Sequence, residues 1–243
     1  MKKNICIFLS LFLPLLTACD DGHVDDKVFI DENECYNVVF TGDIKGTTSW
    51  PKEYSIVIAG FNEESDYSVI QKSLPLDSKE GEHITISMSN ISTECTTIEI
   101  AAVTSLRARV ATLYSYSIDA SQRTDDTIRI DAGYIDATAF SAINKSVFND
   151  SYFSCARCHS GEKPIANLDL SSEYSYNNLV NVQSKCNPEM KRVTPGDAGN
   201  SILYKAITDG ACIRYSHPSL FTESNHTRMI NLIESWINEG AKR

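Results

Sequence analysis

The chain has 243 residues, a formal net charge of −10 and a pI near 5.0. That length allows one or two domains, and an acidic balance with no basic cluster excludes nucleic acid as a partner. No Gly-rich phosphate loop, G-x-S-x-G or H-E-x-x-H is present, so the common nucleotide-binding, serine-hydrolase and zinc-protease machineries are not indicated.

Residues 1–18 read as a leader rather than as fold. Lys2 and Lys3 precede a short apolar run, Ile5 to Leu16, that is broken by Pro14 and is too short for a usual membrane span. Leu16-Thr17-Ala18-Cys19 resembles the lipobox of bacterial lipoproteins. The resemblance implies cleavage before Cys19, lipidation of Cys19 and a lipid anchor in the membrane. It implies an exported protein of the cell envelope, at the periplasmic face or the cell surface, with the outer membrane as the expected site. Loss of Lys2 and Lys3 with the leader takes the charge from −10 to −12. Residues 19–34 are acidic and poor in apolar side chains, as suits a flexible tether.

From Cys35 to Asp136 the period is two. Tyr36–Phe40, Tyr54–Ala59, Tyr67–Ile70, Ile84–Met88, Thr96–Val103, Arg107–Ile118 and Thr127–Ile130 give about seven short segments rich in β-branched and aromatic residues. This pattern predicts an all-β antiparallel sandwich over 35–136. His83, Tyr114, Tyr116 and the acidic loop Glu63–Asp66 carry no evident chemistry. They read as ordinary strand or solvated loop residues.

After the junction at 131–137 the period changes to 3.6. Phe140, Ile143, Val147 and Phe148 share one helical face that leads into Cys155-Ala156-Arg157-Cys158-His159. C-x-x-C-H is the attachment signature of c-type haem. Two thiols at this spacing can reach the two vinyl groups at one porphyrin edge, and the adjacent His is the proximal iron ligand. A disulfide, a thioredoxin-like redox pair or half of a zinc site also fits C-x-x-C. The chain offers no second C-x-x-C and no βαβ context. Downstream, Asn177–Val180 reads as a short helix, and Ser201 as the cap of a helix through Ile202–Ile207. A last helix from Glu223 to Glu239 has Met229, Ile230, Ile233, Trp236 and Ile237 as its apolar stripe and Gly240 as its stop.

Taken together, the C-x-x-C-H motif, Leu168-Asp169-Leu170-Ser171, Val193-Thr194-Pro195-Gly196 with Ser201–Tyr204, and the terminal Trp236-Ile237-Asn238-Glu239-Gly240-Ala241 resemble a bacterial cytochrome c-like domain. The resemblance implies an all-α domain over 137–243 that carries one covalent haem c, with first and last helices crossing beside it. Many relatives have Met-Pro before the last helix, and that Met is the distal iron ligand. Here the pair is His217-Pro218. Either His217 is the distal ligand, giving bis-His iron and a lower potential than Met/His, or the sixth site is open or filled by Met190, His226 or Met229. Met229 reads as core and His226 as an exposed first-turn residue.

With Cys6 in the leader, Cys19 lipidated and Cys155 and Cys158 on haem, Cys35, Cys95, Cys186 and Cys212 remain. Four cysteines permit three pairings, and the division of the chain prefers Cys35–Cys95 with Cys186–Cys212. The function these readings imply is single-electron transfer with an unidentified redox partner, without catalysis. A competing reading is a surface binding or sensory lipoprotein in which the β region recognises a glycan or protein and the haem is secondary. A peroxidase-like enzyme would need an open distal site.

Overall fold

The computed structural model describes residues 35–243 except 75–80, 120, 123–126, 172–173 and 213–215. The leader 1–18, Cys19 and the tether 19–34 lie outside the described residues. Seven strands come first: β1 (Cys35–Lys45), β2 (Ser55–Phe61), β3 (Ile70–Ser73), β4 (His83–Ser92), β5 (Thr97–Val103), β6 (Arg109–Ser117) and β7 (Thr127–Asp136). They form two sheets, ordered β4-β1-β7 and β3-β2-β5-β6. Alternation sets the faces. Tyr36, Val38, Phe40 and Ile44 of β1 and Ile84, Ile86 and Met88 of β4 turn inward. They share one apolar core with Ile58, Ile98 and Ile100 of the second sheet, and the Phe40 and Tyr114 rings meet edge to face at 5.8 Å.

The expected all-antiparallel arrangement is corrected at one pairing. β1 runs antiparallel to β4 but parallel to β7, with Val38 opposite Ile128 and Phe40 opposite Ile130. A parallel neighbour requires a long crossover, and here the crossover is the whole chain from β1 to β7, including the second sheet. Two other readings also change. Asp66, in the loop read as solvated, lies between Arg109 and Arg228 at 3.3 and 3.0 Å. The strand expected at Tyr67–Ile70 begins only at Ile70.

The all-α expectation for 137–243 is overturned. Among the described residues the structure is mixed, about 35% strand in two sheets and 27% helical, with five α-helices. These are α1 (Ala139–Ile143), α2 (Cys155–Cys158), α3 (Ser175–Leu179), α4 (Ile202–Thr208) and α5 (Ser224–Asn238). Pro164, Pro188, Pro195 and several glycines interrupt the sequence between them. The backbone there is satisfied by isolated bridges such as Val180–Val193 and Lys191–Ser201 rather than by helix. Ser201 does not cap α4 through its side chain. Its hydroxyl donates to the Asp197 carbonyl at 2.7 Å and accepts from the Thr194 amide at 2.8 Å, closing the Pro195-Gly196 loop.

α1 begins under a Thr138 cap and widens into a π-helical turn, Asn144–Phe148, which keeps both Val147 and Phe148 buried. α5 ends at Gly240 (φ +100°). The Gly240 amide donates to the Ile237 carbonyl and the Ala241 amide to the Trp236 carbonyl, the paired bonds of a Schellman cap. α1 and α5 meet through Phe140 and Trp236, whose rings lie 5.3 Å apart.

The helices and both sheets contribute to one continuous core. Polar ties reinforce it. The Trp50 indole N–H donates to the Ala137 carbonyl at 2.6 Å, and Arg228 of α5 donates to Asp66 and to the Arg109 carbonyl. Truncating Trp236 to Ala should therefore cost about 3–5 kcal/mol. In denaturant, the strand signal and the helix signal should shift to a lower midpoint together. Separate transitions for strand and helix would contradict a shared core.

Candidate functional site

The C-x-x-C-H segment is launched by a polar turn. The Asp150 carboxylate accepts from the amides of Tyr152 and Phe153. The Ser154 amide donates to the Asp150 carbonyl, and Ser154 takes a left-handed conformation (φ +48°). One turn of helix follows. Cys155 and Cys158, three residues apart, thus share a face. The two thiols are not joined to each other. Cys158 is exposed, and burial pushes the Cys155 thiol up to about 12.

His159 ends this turn and is held from both sides. Its carbonyl accepts from the Leu170 amide at 2.6 Å, and its ring Nδ1 lies 3.1 Å from the Ile165 carbonyl. A carbonyl can only accept, so Nδ1 carries the proton and Nε2 is left with its lone pair outward. Burial lowers the affinity of the ring for a second proton, and the charges of His217 and Arg192 add to this, while the Ile165 contact opposes it. The ring is thus neutral at neutral pH, the form that binds metal.

His217 supplies a second imidazole nearby. It opens a 3-10 turn, His217–Phe221, with Pro218 as its second residue. Its ring centroid is 6.3 Å from that of His159, with 31° between the planes. One contact brings the segments together. Phe153, two residues before Cys155, stacks on Phe221, four residues after His217, at 4.7 Å and 23°. Upstream, Cys212 is bridged to Cys186, with Cα atoms 5.6 Å apart. That bridge closes a 26-residue separation and contributes about 3.5 kcal/mol in the chain-entropy account.

The other residues named as distal candidates are placed elsewhere. His226, expected at the surface, is buried (9% exposed) with its ring against Tyr152 at 4.5 Å and Phe153 at 4.8 Å. His226 and Met229 line a cavity of about 280 Å³ beside Asp66, Arg109 and Arg228. Met190 lies in the turn where its carbonyl accepts from the Ser184 amide. Among the described residues no group of three or more His, Cys, Asp or Glu side chains gathers to hold a metal ion. The structure does not close the expected Cys35–Cys95 bridge. Cys35 starts β1 opposite Ser92, whose carbonyl accepts from the Cys95 amide at 3.0 Å.

Sequence reading passed over Arg192. It is buried (6% exposed) and donates to three backbone carbonyls, those of Asn178, Ala166 and Asn167, at 2.8–3.0 Å. A buried guanidinium must be paired. The only signal for it in the sequence is a cation in a stretch that otherwise turns back into the fold.

No family model, curated protein or solved structure matches the chain. The resemblance to a cytochrome c-like domain therefore rests on the residues themselves.

The two cysteines differ in a way that labelling can read. Thiolate is the reactive form, so in protein made without haem-attachment machinery Cys158 should alkylate at pH 8 roughly tenfold or more faster than Cys155. The unfolded chain releases the Cys155 proton near the ordinary value of 9.0, whereas the folded chain holds it to about 12. The folded state is thus favoured below pH 9, and this contribution is lost as the pH rises through that window. Equal labelling of both thiols, read by peptide mapping, would place the Cys155 sulfur in water.

Proposed function

We propose that residues 137–243 hold one covalent haem c with His159 and His217 as its axial ligands, and that the protein is a lipid-anchored single-electron carrier. The observation that carries this reading is the spacing of the two imidazoles. The ring centroids stand 6.3 Å apart, a span that would let both imidazoles hold one metal ion. The donor set fits as well. Cys155 and Cys158 are unbridged and share a face, and the Nδ1–H of His159 is committed to a carbonyl, which leaves Nε2 as the donor. Tetrahedral zinc would need Cys155 and Cys158 gathered with the two imidazoles, and among the described residues no group of three or more His, Cys, Asp or Glu side chains gathers.

Haem in this position supplies a one-electron iron couple, with a potential below that of a Met/His site. The chain does the rest. Each cysteine thiol adds across one vinyl C=C, sulfur to one carbon and hydrogen to the other, so that no external oxidant is needed. The Leu170 and Ile165 contacts fix His159. The Phe153–Phe221 stack fixes the approach of His217. His159 and His217 would both hold the iron, and the haem would supply one-electron exchange with a partner through the exposed Cys158 side. The acidic chain favours a partner with a basic docking face. Cys19 would tether the molecule to the envelope membrane near that partner.

The protein should be matured with haem-attachment machinery and its optical spectrum recorded for wild type and His217→Ala. The expected result is a covalent c-type haemochrome that is six-coordinate and low-spin in wild type and high-spin in the variant. An unchanged low-spin spectrum in His217→Ala would remove His217 from the iron. Absence of covalent haem in wild type would overturn the proposal.

A further inference from the structure

The Ile165 carbonyl that receives the His159 proton sits in a turn with unusual backbone. Ala166 and Asn167, the next two residues, are both left-handed, with φ of +58° and +49°. Consecutive non-glycine residues rarely hold this region, and they do so where the surroundings over-determine them. What fixes them here is the Arg192 fork. One terminal nitrogen, Nη2, donates to both the Ala166 and the Asn167 carbonyls, at 2.9 and 3.0 Å. The other, Nη1, donates to the Asn178 carbonyl of α3 at 2.8 Å. The guanidinium thus staples the 165–168 turn to α3. Arg192 is itself registered by its backbone, since its amide donates to the Val182 carbonyl at 2.7 Å and its carbonyl accepts from the Leu203 amide at 2.9 Å.

Resting on the haem reading above, we propose that Arg192 is the positioning residue of the proximal ligand. By holding Ala166 and Asn167 it aims the Ile165 carbonyl at His159 Nδ1, and so tunes the donor strength of Nε2. A carbonyl accepting from Nδ1–H makes the imidazole more basic and favours the higher oxidation state of a bound metal. The planar fork matters as well as the charge. A lysine ammonium is a point donor and cannot span the two segments in one plane.

Arg192→Lys separates fork from charge. In haem-loaded protein it should raise the midpoint potential, shifting the ferrous/ferric ratio at fixed ambient potential roughly tenfold, or 59 mV for one electron. The optical spectrum should stay low-spin. Ala166→Pro is the second variant, because it forces φ to about −65° at an exposed position and displaces the turn with Arg192 intact. It should move the potential in the same direction, and it keeps the question open to test if Arg192→Lys fails to fold. A purely structural Arg192 would lower the unfolding midpoint and leave the potential where it was. Low-spin haem with unchanged potential in the folded variants would overturn this proposal and leave the haem reading standing. A wild type that attaches no haem would overturn both.

Discussion

Burial of Trp236 is the constraint on which the C-terminal half depends. The indole is 1% exposed and packs on Phe140, whose ring also meets Phe148 and Tyr176. Its N–H donates to the Lys242 carbonyl at 2.7 Å, and the Tyr176 hydroxyl donates to the Ala241 carbonyl at 2.9 Å. Trp236 thereby joins α1, α5 and the chain end, and Tyr176 ties α3 to the same cluster. α1 runs into the segment bearing Cys155, Cys158 and His159, and α5 follows directly on the turn that opens with His217. Of the five α-helices among the described residues, only α5 is longer than seven residues, and such short helices would be marginal in isolation. Shared burial makes them stable and brings two imidazoles from distant parts of the sequence to one point.

The β region is part of the same body. Arg228 of α5 reaches Asp66 and the Arg109 carbonyl, and Arg109 continues to the buried Glu99 at 2.8 Å. Glu99 is otherwise satisfied by the hydroxyls of Thr97 and Thr112. A carboxylate so buried is tolerated only because it is paired and hydrogen-bonded. This chain of charges runs from the middle of β5 to the helix beside the candidate site. The strands are thus a scaffold against which α5 is set, and a loose spacer would not need such ties.

What could be read from the sequence was what short-range periodicity encodes. Period two in Ile84, Ile86 and Met88 placed a buried face. Period 3.6 with Gly240 placed α5 and its end. The C-x-x-C-H spacing and the His217-Pro218 pair named His159 and His217, whose ring centroids stand 6.3 Å apart. What escaped was set by distant partners. Nothing local in β1 or β7 tells that they run parallel. Arg192 drew no notice because its three carbonyl partners lie 14 to 26 residues away. His226 reads as an exposed first-turn residue until Tyr152 and Phe153 cover it. The all-α expectation failed because the prolines and glycines between α3 and α4 leave the backbone to isolated bridges.

The central claim is that His159 and His217 share one iron. Pulsed EPR of the ferric protein, carrying ¹⁵N-labelled histidine, tests it most directly. The account predicts a low-spin centre coupled to the nitrogens of two imidazoles, with one of them lost in His217→Ala. Coupling to a single histidine in the wild-type protein would contradict it.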